Sequence, residues 1–425
     1  MDLDLAVTEK SYQAEAGIGV FAAPLRPLTT AEFELRILND LADARETWLA
    51  FEKGAACTPF QSYQWMHAWQ FAAGGRNAVS PLIVLGYRGD RLAFILPFAV
   101  EQWRGARRLV WLGHELADYN GPLFDLDTLR RLPADFAAAI VGRLRNLVPG
   151  IDYMYLAKQP ESLRGLPNPF AGFRSVPFTC RAHSAVLGDN WQDFSLAHRS
   201  VRSLRRLGEK ERKLARLGEL AFQAVSSPIE RRQLMLRLVA WKVAQLEARG
   251  ERVAFADAAA RRFLRELARV TSDDPRYRLY ALKLDGRAVA LAFCLVDHAR
   301  LIYYLCAYEE GRAARYSPGL LLLVHIFKQA IGEGLEVFDF SNGDENYKAQ
   351  WIDRSDAILV SFVPFTLRGR LAAGLDRIEL EAVRRVKRHP RLRAVANRLL
   401  KSWWDFKRGF AAGSQAGDLE RFENS

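Results

Sequence analysis

Val337-Phe338-Asp339-Phe340 alternates as a buried strand does, and Ser341-Asn342-Gly343 then breaks the pattern. Beyond the break, Asp344, Tyr347, Lys348 and Trp351 fall at i, i+3, i+4 and i+7. On a helix that spacing puts a carboxylate, a phenol, an ammonium and an indole on one face. Strand ends followed by turns are where α/β proteins tend to place ligands. The same residues also fit a strand, a turn and an ordinary amphipathic helix with a surface ion pair, so the pattern alone leaves two readings.

The elements around this stretch follow a plan that occurs twice. In the first half, a strand over 33–38 leads to a helix through Trp48 and a second helix over 64–73, whose Trp65 and Trp69 share a core-facing side. Strands over 81–87 and 91–100 flank the turn Arg88-Gly89-Asp90, a strand over 107–112 follows, and then come a helix over 133–147 and a strand over 151–157. In the second half, a basic helix over 199–217, a strand over 219–225 and helices over 228–248 and 257–270 precede a meander of three strands around Asp285-Gly286-Arg287. Ser317-Pro318-Gly319-Leu320 reads as a helix start, with Ser as N-cap and Pro at N1, and the strand at 337–340 follows that helix. Each half therefore carries helices, an antiparallel meander, a helix and a further strand, without a residue-level repeat. The expected organisation is a loose leader (1–31), a first α/β domain (32–180), a second, site-bearing domain (181–365) and a basic amphipathic helical tail (366–425).

A chain of 425 residues is too long for one ordinary core, which agrees with two domains. Cys57, Cys180, Cys294 and Cys306 are scattered without a C-x-x-C pair or a nearby His, which argues against a zinc site or a disulfide framework; no metal is expected. The start is acidic where a secretory signal is basic, and no apolar run approaches the roughly 18 residues of a spanning helix, so the chain reads as cytoplasmic. The net charge of +12 is concentrated. Residues 199–216 hold eight Arg/Lys against Glu209 and Glu211, and residues 368–408 hold thirteen against four acids. Such blocks serve polyanions or are solvated helix faces. In the tail, Leu399-Leu400-Lys401-Ser402-Trp403-Trp404-Asp405-Phe406-Lys407 interleaves apolar and basic residues, as does a helix on the inner membrane face or one docked in a groove.

The Ser317-Pro318-Gly319 helix start, Phe338-Asp339-Phe340 and Gly343-Asp344-Glu345-x-Tyr347-Lys348-x-x-Trp351 together resemble the second half of the CelD-type (cellulose biosynthesis) acetyltransferases. That group lies in the GNAT superfamily and shares the tandem arrangement of the Fem aminoacyltransferases. Thr58-Pro59-Phe60-Gln61-Ser62-x-x-Trp65-x-x-x-Trp69 and Asp118-Tyr119 resemble its first half. The resemblance spans about 33–365. It implies two GNAT-like domains, each a mixed, mostly antiparallel sheet flanked by helices, and acyl transfer from acetyl-CoA or another acyl-CoA to an amine or hydroxyl. A sugar, sugar-lipid or polysaccharide precursor is the implied acceptor, and DNA is not an expected partner.

The resemblance also assigns roles. Ser317, Gly319 and Leu320 at the helix start, with Arg312 and Arg315, would take the donor pyrophosphate. Here Arg312-Ala313-Ala314-Arg315-Tyr316-Ser317 departs from the Q/R-x-x-G-x-G/A loop of the superfamily, and guanidinium contacts would stand in for the missing backbone approach. Asp344 and Tyr347 would move protons, with Asp339 as a second carboxylate, and Lys348 would hold an anion or polarise the acyl carbonyl. Glu345 exchanges places with Asp344 on a one-residue register change. Asp118 and Tyr119, with Trp351 and Glu345, would meet the acceptor, although Asp118-Tyr119-Asn120 also fits a simple Asx-turn. His325 reads as a packed core residue. Two alternatives stand beside this reading: a Fem-like aminoacyltransferase fed by aminoacyl-tRNA through the basic helix, and a catalytically degenerate, membrane-associated scaffold of a polysaccharide synthase.

Overall fold

The computed structural model describes residues 26–74, 79–113, 115–248, 258–343 and 348–388. The first half runs β1 (Glu34–Leu38), α1 (Leu41–Phe51), α2 (Tyr63–Trp69), β2 (Ser80–Arg88), β3 (Arg91–Trp103), β4 (Ala106–Trp111), β5 (Leu123–Phe124), α3 (Leu126–Arg130), α4 (Phe136–Leu147) and β6 (Tyr153–Pro160). A small hairpin, β7 (Ser162–Leu163) and β8 (Leu166–Pro167), leads to β9 (Ser175–Val186). The second half runs α5 (Trp191–His198), α6 (Val201–Ala215), β10 (Leu220–Ala224), α7 (Pro228–Ala248), α8 (Ala258–Val270), β11 (Tyr277–Leu284), β12 (Arg287–Asp297), β13 (Arg300–Tyr308), α9 (Pro318–Gly332), β14 (Val337–Asn342), β15 (Arg354–Pro364) and α10 (Leu367–Arg388).

Local chemistry accounts for many of these boundaries. Asp40 accepts from the Ala42 N–H at the head of α1, and Ser62 from the Trp65 N–H at the head of α2. Asp285 (φ 49°) and Gly286 (φ 74°) make the β11–β12 turn with both residues left-handed, the backbone a two-residue hairpin demands. α9 ends in a Schellman motif: Leu335 N–H reaches the Ala330 carbonyl and Gly334 N–H reaches Ile331, with Gly334 at φ 73°.

Apart from the β7–β8 hairpin, the strands form one sheet in the order β1-β2-β3-β4-β6-β15-β9-β14-β13-β12-β11-β10, with β5 on β3. Each half is an antiparallel meander followed by one parallel strand, β6 against β4 and β14 against β13. The halves then exchange strands. β9 follows β6 but pairs antiparallel with β14, β15 follows β14 but pairs with β6, and β9 and β15 pair with each other at the centre. The expected boundary at 180/181 thus falls inside β9. A shared core joins the halves: Trp48, Phe60, Trp65 and Trp69 of the first pack in one cluster with Leu238, Phe263, Leu267 and Phe293 of the second. Two further clusters lie on the other side of each half-sheet, under α9 and under α4.

Several expectations change. Residues 26–31, read as part of a loose leader, are docked: Leu28 is buried, and its N–H bonds the Arg131 carbonyl. The helix expected to 73 gives way to a π-turn at Gln70–Gly74. α5, unanticipated, precedes the basic helix. Ser317 is left-handed (φ 58°) with no side-chain cap, so it is a turn residue before α9 rather than an orthodox N-cap. Residues 348–351 form a turn, with the Trp351 N–H on the Lys348 carbonyl, so Lys348 and Trp351 do not share a helical face. Asp344, Glu345 and Tyr347, and the tail beyond 388, lie outside the described residues. No described helix is long and apolar enough to cross a membrane.

Candidate active site

β13 and β14 pair only from Arg300↔Val337 to Ile302↔Asp339, while β13 runs on to Tyr308 and β14 to Asn342. The two parallel strands splay beyond that point, and the loop over 115–122 of the first half meets the opening. Tyr119 Oη donates to Asp339 Oδ1 at 2.8 Å, Arg300 Nη1 to Asp339 Oδ2 at 3.2 Å, and the Ser341 N–H to Asp339 Oδ1 at 2.6 Å. Asp339 is 1% exposed, so this carboxylate sits fully satisfied in the seam between the halves. Burial, and then the Asp339 carboxylate, hold the Tyr119 phenol well above its ordinary pKa. Burial pulls the Arg300 guanidinium down, but Asp339 and Tyr119 more than offset it and its pKa is raised.

Beside this pair, Ser341 Oγ donates to Asp118 Oδ2 at 2.5 Å, and Asn342 Nδ2 to the Asp118 carbonyl at 3.2 Å. Burial raises the Asp118 carboxyl pKa, with Lys158, Ser341, Lys348 and Asn342 working against it. Lys158 Nζ donates to the carbonyls of Glu115 (3.0 Å) and Ala117 (2.7 Å), and burial lowers its pKa while Asp118 opposes. Lys158 and Ser341 are both left-handed, at φ 60°, and each sits where its strand's register shifts. Such backbone costs about 1–3 kcal/mol per residue and tends to occur at functional sites. The bulges aim the two side chains into the loop that holds Asp118.

The first-half motif secures the same loop. Gln61 Nε2 donates to the Tyr119 carbonyl at 2.8 Å while its Oε1 accepts from the Thr58 N–H and Oγ1. Ser62 Oγ and the Pro59 carbonyl both meet Tyr277 Oη, and Tyr304 Oη donates to the Leu116 carbonyl at 2.8 Å. Asn120 binds Lys158 and Ala157 backbone carbonyls through its N–H and Nδ2, so an interlocked loop replaces the Asx-turn alternative. Lys348 is buried, and its Nζ donates to the carbonyls of Phe340 (2.9 Å), Asn342 (3.3 Å) and Gly343 (3.4 Å), fixing the end of β14. Trp351 is fully buried in the aromatic core, parallel to Phe194 at 5.8 Å with the Arg199 guanidinium 4.6 Å above it. The structure therefore brings Asp118, Tyr119, Asp339 and Lys348 together and sets Trp351 apart. Lys158, Arg300, Ser341 and Tyr304 are the members that sequence reasoning missed. A lysine in a strand end and a serine in a turn carry no local signal for this role.

At the end of β13 the chain turns into α9. Lys210 of α6 donates from Nζ to Ser317 Oγ at 2.7 Å, and Arg312 and Arg315 are exposed, with the Arg315 guanidinium 4.9 Å from the Tyr316 ring centroid. The Leu320 N–H bonds back to the Ser317 carbonyl, while the Gly319 N–H lies in the first turn, where no intrahelical acceptor exists. A Cβ on Gly319 would come within 3.1 Å of the Tyr308 ring, so glycine lets α9 approach β13 closely. Helix N-terminus, Lys210, Arg312 and Arg315 make this a basic corner suited to an anion. His325, in the middle of α9, is not simply packed: its Nε2 lies 2.7 Å from Glu211 of α6, tying the basic helix to α9.

A cavity of about 740 Å³ opens between the halves, lined by Glu52, Cys57, Thr58, Arg276, Asp297 and His298, among others. Arg276 is held by Glu52 (2.8 Å) and Asp274 (2.7 Å). Asp297 pairs across the β12–β13 turn with Arg300, which in turn holds Asp339. Its carboxylate accepts no hydrogen bond among the described residues, lies 3.6 Å from His298, and has a pKa raised by burial. Burial also pushes the Cys57 thiol up, so it is no ready nucleophile.

Residues 199–349 match the family described as acetyltransferase (GNAT) domain. Among solved structures, FemX covers 79% of this chain and 98% of its own at 8% identity, with a TM-score of 0.51. A conserved protein of unknown function from Bacteroides thetaiotaomicron VPI-5482 covers 78% and 100% at 12% identity (TM-score 0.49). The tandem GNAT protein from the clavulanic acid biosynthesis pathway covers 78% and 98% at 14% identity (TM-score 0.41). No curated protein matches the chain. At such identities the likeness to these structures is one of fold. Fold and family match together define the class: two tandem GNAT-like α/β halves, of which the second is an acetyltransferase-type domain. The protein is an acyltransferase.

Proposed function

We propose that the chain transfers an acetyl or other acyl group from acyl-CoA to an amine or hydroxyl of a sugar or envelope-polysaccharide precursor, as the CelD-type resemblance implies. The observation that carries this reading is the splay between β13 and β14, with a raised-pKa carboxylate, Asp118, at the β14 side and a basic helix start at the end of β13. Acyl-CoA would supply an activated thioester. Lys210, Arg312 and Arg315, with the Gly319 N–H, would hold its phosphates. Nucleophilic attack forms the new C–N or C–O bond and breaks the C–S bond; the nucleophile's proton passes to a seam carboxylate, which gives it up to the departing thiolate. Among the described residues Asp118 is that carboxylate; the sequence also assigns proton transfer to Asp344 and Tyr347. Asp339, already bound by three donors, positions the end of β14. The acceptor side is the cavity at Asp297 and His298, where a hydrogen-bond-donating acceptor would offset a buried carboxylate.

The test is coenzyme A release from acetyl-CoA over a panel of amino sugars and glycans, for wild type, Asp118→Asn, Asp344→Asn and Lys348→Met. A general base contributes about 10²–10⁴-fold, so losses below about tenfold in all three folded variants reject the assignment.

One observation favours a second reading. Arg202, Arg205, Arg206, Arg212, Lys213 and Arg216 are all exposed on or just beyond α6, a basic row suited to aminoacyl-tRNA in a Fem-like aminoacyl transfer. Thermal stabilisation by acetyl-CoA supports the first reading. Charged-tRNA binding that weakens steeply with salt supports the second, and turnover with neither donor leaves the scaffold alternative.

A further inference from the structure

α10 has two faces of opposite character. Gly369, Ala372, Ala373, Asp376 and Leu380 are buried against the sheet, and Asp376 is bound there by Trp103 Nε1 (2.9 Å), Arg108 Nη1 (3.2 Å) and Tyr153 Oη (2.7 Å). Leu367, Leu371, Leu375 and Ile378 are exposed by 77, 74, 50 and 68%. Their spacing of i, i+4, i+8 and i+11 makes one straight stripe. At about 100° per residue, that stripe points directly away from the buried face. A single exposed leucine is unremarkable, but four in register, on a helix whose opposite face already does the packing, form a surface the fold does not require.

The net charge around the stripe is positive. Arg370 and Arg377 flank one side, Arg368 the other, and Arg385 continues the line of the stripe; all four are exposed. The three carboxylates of α10 are engaged: Asp376 in the buried cluster, Glu379 by Arg104 and Glu381 by Arg384. We propose that this outward face of α10 docks the protein on an anionic lipid bilayer. The helix would lie in the plane of the interface, its leucines and Ile378 at the acyl boundary and the arginines at the level of the lipid phosphates. Charge complementarity selects this occupant. A second copy meeting the same face would set arginine rows against arginine rows, and a nucleic acid would leave the leucines against phosphate. The inference does not rest on the acyl-transfer reading, since none of these residues lies at the site.

The full chain is sedimented with extruded vesicles of phosphatidylcholine alone, or with about 30% phosphatidylglycerol added. Binding at least about tenfold stronger to the anionic vesicles, and weakening with salt, is expected. Leu371→Glu with Ile378→Glu should lower it at least about tenfold at an unchanged thermal midpoint, and Arg370→Gln with Arg377→Gln should lower both binding and its salt dependence. Should the glutamates depress the midpoint, Leu371→Gln with Ile378→Gln serves instead. No binding by the wild type, equal binding to both vesicles, or binding unchanged in the stripe variants would overturn the proposal. So would a concentration-dependent dimer, dissolved by Leu371→Glu, that ignores vesicles.

Discussion

Arg108 and Arg300 hold the same place in the two halves. Each opens the parallel pairing of its half, Arg108↔Tyr153 and Arg300↔Val337, and each guanidinium lies 3.2 Å from an aspartate oxygen. The aspartates come from different places. Asp376 belongs to α10, which lies across β4, β6, β9 and β15, whereas Asp339 belongs to β14 itself. One plan therefore yields two outcomes: in the first half the arginine is tied to a helix packed on the sheet, and in the second to the neighbouring strand, where the Asp118 loop meets it.

The relationship separates structure from function. Removing one partner of a buried ion pair costs about 3–5 kcal/mol, because the other charge is left uncompensated. Asp376→Ala, which strands the buried Arg108, should lose stability on that order in urea unfolding, and Asp339→Ala should lose less, because the Arg300 side chain is 47% exposed. At temperatures where both remain folded, Asp376→Ala should keep its turnover per folded molecule, while Asp339→Ala should lose most of it. Equal activity in the two would separate Asp339 from the site.

Tyr119→Phe removes one of the three donors to Asp339 and leaves the ring packed edge-on against Phe60, 5.8 Å between centroids. A buried carboxylate that loses one hydrogen bond costs about 1–3 kcal/mol. The double mutant with Asp339→Asn should cost less than the sum of the single changes, which denaturation of all four proteins would measure.

Asp118 gives a pH signature. Its carboxyl pKa is raised from 3.8 by burial, so the folded state holds that proton more tightly than the unfolded chain. The associated stability is fully present below pH 3.8 and is lost as pH rises through the folded pKa. Relative to Asp118→Asn, the wild type should therefore lose stability as pH is raised from about 4 toward neutrality. Urea midpoints across that range check the sign; parallel curves would remove Asp118 as a perturbed group. If Asp118 accepts the proton, kcat/KM should rise with pH through the same pKa, and this limb should vanish in the asparagine variant.

What the sequence disclosed follows from the range of the interactions involved. The Asp285-Gly286 turn and the Pro318 helix start are written in a few adjacent residues, so both were legible. The β9/β15 exchange was not, because a strand's own alternation does not say which half it pairs with. The helix expected over 344–351 illustrates the limit: at 348–351 three backbone carbonyls recruit the Lys348 ammonium, and that tertiary contact overrides the helical spacing. Asp118 and Tyr119 were legible as a polar cluster. Lys158 and Ser341, which aim at that loop through left-handed backbone, were not, since neither residue type favours that conformation.

The basic corner at α9 makes its own prediction. Lys210→Ala removes the ammonium 2.7 Å from Ser317 Oγ and should weaken coenzyme A binding about tenfold by calorimetry, the effect shrinking as salt is raised. Lys213→Ala, exposed on the same helix, serves as the control and should change affinity little. Unchanged affinity in Lys210→Ala would move the donor away from the head of α9.

Two glycines of α10 should respond in opposite directions. A Cβ at Gly369 would lie 1.8 Å from the Asp152 carbonyl oxygen, which also accepts from the Phe365 and Thr366 N–H groups. That oxygen is fixed backbone, held by Asp152 pairing with Arg107 on β4 and by Thr366 Oγ1 on its own carboxylate, so the helix would have to move instead. Gly369→Ala should cost about 1–3 kcal/mol or more by overpacking. It should also loosen Asp376 from Arg108, which would appear as early proteolysis within 367–388. A Cβ at Gly374 meets nothing within 4 Å, and that residue is exposed in the helix interior. Gly374→Ala should therefore stabilise by about 0.5–1 kcal/mol through the unfolded chain's lost freedom. Opposite shifts in thermal midpoint would establish that α10 is seated on Asp152 as described, whereas equal shifts would mean that the helix does not rest there.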